Sequence, residues 1–278
     1  MIGPRSASRL PGVLRRCAWV GLAAWACVSL GCSPAGSRAR PVEVTVFAAA
    51  SLREVFDRIA GEFEAGHPGA RVTLNYAGSS ALAVQIQQGA AADVVALADW
   101  ANLQPLVDDS LVRDARDFAR NRLVVVLPAA NPRRVTSLAD LARPGLRLAL
   151  AAPEVPAGHY ARQVLEKLEA HRPGYRDAVL ANVATEEPNV RQVLLKVELG
   201  EADAAFVYAT DALAAGVRVR TLPIPAEDNV TARYPLALGK RLNQDAKTAA
   251  LAADFVAQVA SPAGKRALAD AGFLVDGE

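Results

Sequence analysis

From residue 43 onward the apolar and polar positions alternate between two periods, and that alternation predicts the elements. Residues 44–49 form a mainly apolar run with β-branched members, the pattern of a buried strand. Leu52, Val55, Phe56, Ile59 and Phe63 then recur at helical spacing, and Gly66-His67-Pro68-Gly69 marks a turn. A strand over 72–76, a helix from Ala83 to Gly89, a strand over 93–96 and a short helix over 103–107 complete a first series. A second series begins with a strand over 122–127. A short helix over 137–141 follows, with Ser137 placed as its cap and Asp140 three residues on. Then come a strand over 146–150, helices over 158–168 and 190–199, a strand over 204–208, a short helix over 210–215 and a strand over 217–222. The tail adds a strand over 234–238 and helices over 246–259 and 262–271. Strands alternating with helices predict an α/β fold of parallel sheets covered on both faces. Two such series predict two lobes. The chain is expected to cross near residues 120–121 and return near 224–229, so that 43–120 and 226–278 build one lobe and 121–225 the other.

The first 41 residues break this pattern. Arg5, Arg9, Arg15 and Arg16 stand there without an acid, and the run from Cys17 to Cys32 carries no charge. A basic start, a short apolar stretch and a small-residue exit at Gly31-Cys32-Ser33 read as a secretory signal over residues 1–32. The run is short of the roughly 20 apolar residues that a membrane span needs. Residues 33–42 are small and polar, a tether. All three cysteines, Cys17, Cys27 and Cys32, lie in this leader, so residues 33–278 hold no disulfide framework and no thiolate chemistry. Ser29-Leu30-Gly31-Cys32 resembles the bacterial lipoprotein processing box, with Cys32 as the lipidated residue, although the usual Leu sits one place earlier. Ordinary cleavage nearby, for example after Ala39, is the alternative.

Removing residues 1–31 changes the charge balance. The whole chain carries 31 basic and 29 acidic side chains; without the leader 27 basic face 29 acidic, a net charge near −2. That excludes the electrostatic footprint of a nucleic-acid binder. It also removes any long-range pull on anions, so an anion site would depend on local geometry. Aromatics make up only 5% of the chain, and the core must be built from Ala, Val and Leu.

Candidate catalysis is thin. His67 sits in a turn, and His159 and His171 on or after a helix. None has metal-ligand spacing to another His or Cys. Neither a nucleophile elbow nor a phosphate loop is present. A secreted hydrolase using Ser51 or Ser79 stays open as an alternative and predicts a histidine beside one of those serines.

The junctions between strands and helices are more informative. Ala48-Ala49-Ala50-Ser51-Leu52 and Ala77-Gly78-Ser79-Ser80 each lead a strand into a helix through small residues. Read singly, both serines cap helices. Read together, they stand at the carboxyl ends of strands, where ligands bind in open α/β sheets and where helix starts present free N–H groups. Val155-Pro156-Ala157-Gly158 and Pro188-Asn189-Val190 mark two more such starts.

Several segments carry a family resemblance: TVFAAASL (45–52), YAGSSALAVQI (76–86), GAAADVVALAD (89–99), LVVVLPA (123–129), PEVPAGHYA (153–161), NVRQVLLKVELGEADAAFVYATDA (189–212) and YPLAL (234–238). In this order, over nearly all of residues 43–275, they resemble the periplasmic molybdate-binding proteins of bacterial ABC importers. The resemblance implies a periplasmic-binding-protein-like fold, two α/β lobes with a ligand cleft between them. It implies a monomer in the periplasm that captures molybdate or tungstate, needs no cofactor, is not an enzyme and delivers to an inner-membrane permease. Carried over by position, the ion contacts fall on Ser51, Ser79, Ala157, Val190 and Tyr208. The metal is then held as an oxyanion, with no cation ligands. Sulfate or another tetrahedral oxyanion is the alternative ligand. Arg191 follows Val190, but its side chain is expected to turn away from the ion-facing amide.

Overall fold

The computed structural model describes residues 41–240 and 245–275. The signal segment, all but the end of the tether, Cys32 and the cleavage site near Ala39 lie outside the described residues.

The expected elements are present, with three differences. First, the sheet is mixed rather than parallel. Strand β1 (Val42–Ala49) pairs in parallel with β2 (Ala70–Ala77) and β3 (Val94–Ala96). The long strand β4 (Val112–Pro128) runs antiparallel to β7 (Ala204–Tyr208), β8 (Val219–Pro223) and β9 (Thr231–Gly239), and β9 is also antiparallel to β3. Beyond β7 the pairing is parallel again, through β5 (Leu148–Ala151) to β6 (Val183–Glu187). A strand that returns from the far end of the chain, β9, enters between β3 and β4 and reverses the direction there.

Second, β4 begins ten residues earlier than the apolar run over 122–127. Its first half, Val112 to Asn121, is rich in charge. Register shifts between Arg113 and Arg116 and between Asp117 and Ala119 break the period-2 alternation that would reveal a strand, and Asp114 takes a left-handed φ of 55°. Third, helix α5 (Tyr175–Leu180) and strand β6 escaped the pattern. β6 is an edge strand with a single neighbour, and its sequence VATEE buries only Glu187 fully.

The partners of β4 change along its length. Val112 to Arg122 pair with β9; Leu123 to Pro128 pair with β7 and β8. One strand therefore serves two sections of sheet, with the handover between Arg122 and Leu123.

The helices cover both sections. α1 (Arg53–Gly66) follows a 3-10 turn, Ala50–Leu52, and buries Val55, Phe56, Ile59 and Phe63 on one stripe. Phe56 and Phe63 meet Phe255 of α8 (Ala246–Ala260) edge to face, at 6.1 and 5.4 Å between ring centres. Several of the scarce aromatics form one chain of contacts, Phe56–Phe118–Tyr234, with Tyr208 and Phe273 both on Tyr234 at 5.7 and 5.3 Å. That chain ends beside the cavity described next. The remaining helices are α2 (Ser79–Gln87), α3 (Trp100–Asp108), α4 (Pro156–Glu169), α6 (Val190–Glu198), α7 (Ala209–Ala215) and α9 (Pro262–Asp270).

Candidate oxyanion site

Four helix starts and one strand end converge on a single small cavity, with about 10 Å³ for the centre of a water-sized guest. Ala49, Ala50 and Ser51 line it from the turn before α1, and Ala77, Gly78 and Ser79 from the start of α2. Val155, Pro156 and Ala157 come from the start of α4, Asn189 and Val190 from the start of α6, and Tyr208 from the end of β7. Ala98 completes the wall. All five positions singled out from the sequence are thus brought to one place. No Lys, Arg, Asp or Glu is among the lining residues.

Local sequence explains each placement. Val155 is extended (ψ 135°) before Pro156, which opens α4 without an N–H to lose, so Ala157 stands in the first turn. Asn189 is the N-cap of α6, its side-chain Oδ1 accepting from Gln192 N at 3.1 Å, and Val190 is the first helical residue. Amides in a first turn have no intrahelical carbonyl to bond and carry the positive end of the helix dipole.

The serines do not behave as caps. Ser51 lies inside the 3-10 turn and Ser79 is the first residue of α2, after the N-cap Gly78, and neither side chain bonds its own helix start. Ser79 Oγ instead accepts from the amide of Ala98 at 3.0 Å, and Ser51 Oγ lies 2.9 Å from the Tyr234 hydroxyl. Both serines are buried, at 3% and 1% exposure. A capping role is corrected here: their hydroxyls are held from behind by other elements.

Tyr208 is 1% exposed, and its hydroxyl has no hydrogen-bond partner within the protein. Burial pushes its pKa well above the usual phenol range, so it is a neutral donor. An unpaired buried hydroxyl costs about 1–3 kcal/mol, a cost that a bound acceptor would remove. Its amide donates to Asp211 Oδ2 at 3.3 Å, and burial pushes the Asp211 carboxyl up to about 6. Arg191 does turn from the cavity. Its Nε lies 2.9 Å from Asp211 Oδ1, an ion pair not aligned as a hydrogen bond, and a second nitrogen bonds Glu54 of α1.

Two glycines allow this approach. A Cβ on Gly78 would stand 2.3 Å from the carbonyl oxygen of Pro188, so the α2 and α6 starts meet only because residue 78 has no side chain. A Cβ on Gly158 would meet the carbonyl oxygens of Ala151 and Ala152 at 2.2 Å, which seats the α4 start on the end of β5.

The histidine that a hydrolase would need beside a serine is elsewhere. His67 bonds Phe63 O, His159 bonds Gln163, and His171 faces Asp228. Among the described residues no cluster of His, Cys, Asp or Glu could hold a metal cation.

Residues 44–274 match the family model of bacterial extracellular solute-binding proteins. The chain belongs to this family. The solute-binding protein is 40% identical to the molybdate-binding protein ModA of Mycobacterium tuberculosis over 254 residues, covering 91% of this chain and 92% of that one. Its fold matches the periplasmic molybdate-binding protein of Azotobacter vinelandii (TM-score 0.72, 23% identity, 84% of this chain and all of that one). It also matches the sulfate-binding protein SubI of M. tuberculosis (TM-score 0.74, 19% identity, 84% and 87%). The two structural likenesses establish the fold, and since their ligands differ, the fold does not name the solute.

Two contributors escaped the sequence reading. Ala98 acts through its backbone only, which no residue type announces. The small residue expected at Gly78 acts by lacking a side chain. Tyr234 left a signal: a polar aromatic in an otherwise apolar strand, YPLALG, needs a partner for its hydroxyl.

Proposed function

We propose that this solute-binding protein captures molybdate, and tungstate equally, outside the cytoplasm for delivery to an ABC permease. The observation that carries the reading is the meeting of Ser51, Ser79, Ala157, Val190 and Tyr208 around one cavity without a charged side chain. Two serine hydroxyls, four amides and one phenol can present seven donors, with no carboxylate among them. A tetrahedral dianion presents four oxygens and no proton, so it satisfies such a lining.

Burying the ion is costly unless its oxygens are bonded. Hydrogen bonds to a charged group contribute about 1.5–3 kcal/mol each, so seven contribute roughly 10–20 kcal/mol toward that cost. Four helix starts add about half a positive charge apiece. Because the donors are neutral, selection rests on shape and protonation. A protonated phosphate brings a hydroxyl that finds no carboxylate to accept it. Sulfate suits the chemistry but is smaller, so cavity size is what discriminates against it.

Residues 43–120 with 226–278 and residues 121–225 act as two lobes; the handover in β4, two residues past the expected crossing, and the return between β8 and β9 support a hinge there. Ser51 and Ser79 belong to the first, Ala157, Val190 and Tyr208 to the second, so the ion draws them together. The chain functions as a monomeric carrier without catalysis, exported by its leader and anchored through lipidated Cys32. Elemental analysis of the protein purified from cells supplied with molybdate tests this reading. One molybdenum per chain is expected, and a protein that retains none would refute it.

A further inference from the structure

A serine hydroxyl has one proton and two acceptor lone pairs, so it can greet a ligand either way. In a site for a bare oxyanion the proton must point inward. For Ser79 the fold ensures this, because the Ala98 amide that holds Oγ can only donate. For Ser51 the neighbour is the Tyr234 hydroxyl, and that pair alone does not say which oxygen donates.

The direction is decided further back. The amide of Arg122 donates to Asn121 Oδ1 at 2.9 Å, which fixes the side-chain amide and leaves Nδ2 carrying the protons. Nδ2 donates to Thr210 Oγ1 at 2.9 Å, and the Asn121 side chain acts on the Tyr234 phenol as a donor does, opposing the rise in its pKa that burial causes. The strand register agrees. Tyr234 stands opposite Ala119 across β4 and β9, so Asn121, two residues on, is its diagonal neighbour on the same face. A phenol oxygen that has the asparagine donor on one side turns its own proton to the other, and the oxygen within reach there is Ser51 Oγ. Ser51, Asn121, Thr210 and Tyr234 are all buried.

We propose that Asn121 and Tyr234 form a polarity relay that makes Ser51 an obligate donor, and so set the preference of the site for fully deprotonated oxyanions. The inference rests on the molybdate reading above. Asn121 and Tyr234 are positioning residues: they act through Ser51 and do not touch the solute. The relay starts at Asn121, one residue before the β4 handover between Arg122 and Leu123, so the strand that links the two sheet sections also orients a ligand donor.

Calorimetric titration of molybdate into wild type, Ser51→Ala, Tyr234→Phe and the double variant tests the relay. Tyr234→Phe is expected to bind about tenfold more weakly, because no donor then holds the Ser51 proton toward the ion. In the Ser51→Ala background the same change should alter affinity by less than about twofold. Asn121→Leu, which removes the first donor and leaves the tyrosine in place, should show the same dependence on Ser51. In Tyr234→Phe, competition by phosphate should also strengthen relative to molybdate. Equal losses with and without Ser51, or no loss in Tyr234→Phe, would overturn the relay while leaving the molybdate reading intact. A wild-type protein that takes up no oxyanion would instead overturn that reading.

Discussion

Replacing Tyr208 by Phe separates stability from binding. The ring stays in its T-shaped contact with Tyr234, and only one oxygen is lost. In the arrangement described, that oxygen is buried without a partner, a cost of about 1–3 kcal/mol to the ligand-free protein. Phe removes the cost, so the free protein should unfold at the same or a higher temperature. Ligand binding should move the other way. A hydrogen bond to a charged acceptor is worth about 1.5–3 kcal/mol, which is roughly a ten- to 150-fold loss of affinity. The assay is a pair of thermal melts, without and with saturating molybdate, together with a calorimetric titration. Tyr208→Phe should narrow the gap between the two melts from both ends. Unchanged affinity would remove Tyr208 from the site, and a free protein destabilised by more than about 1 kcal/mol would mean that the hydroxyl has a structural partner.

Ser79→Ala differs in kind, because it leaves the Ala98 amide without its acceptor. It should weaken molybdate binding at least about tenfold and lower the stability of the free protein by about 1–2 kcal/mol, measured by urea denaturation. Gly78→Ala places a methyl group against the Pro188 carbonyl. Circular dichroism should show an intact fold while titration shows at least about tenfold weaker binding, and native affinity would contradict the close approach. Asp211 gives a pH signature. Its carboxyl is raised by burial to about 6 from an unfolded value of 3.8, so the folded state holds the proton more tightly. Its contribution to stability is complete below about pH 4 and is lost as pH rises through 6. Asp211→Asn should flatten that part of the stability curve in denaturant melts between pH 4 and 7; a curve parallel to wild type would refute the assignment.

Much of the fold was legible because burial leaves a period. The stripe Val55, Phe56, Ile59 and Phe63 and the run Ala204–Tyr208 were placed to within a residue or two, since each packs against the core along its whole length. The first half of β4 was not legible, because its two register shifts scatter the buried positions. β6 was not, because an edge strand has little to bury. The parallel sheet was a reasonable expectation from alternation, but pairing direction depends on where β9 inserts, and that is a contact between residues more than 100 apart in sequence. At the site, the helix starts were visible through Ser51, Ser79, Pro156 and Asn189. Their convergence was not, because amides leave no mark in side-chain pattern; the family resemblance supplied it. The serines illustrate the limit. Their type suited caps, and only the positions of Ala98 and Tyr234 reveal that their hydroxyls are held for another purpose.

The central claim is that neutral donors select a dianion of molybdate size. Calorimetric titration of residues 33–278 with molybdate, tungstate and sulfate tests it most directly. One site per chain is expected, with molybdate and tungstate bound alike and sulfate at least about 100-fold more weakly, a difference of ~2.7 kcal/mol. Sulfate bound as tightly as molybdate, or more tightly, would contradict the account.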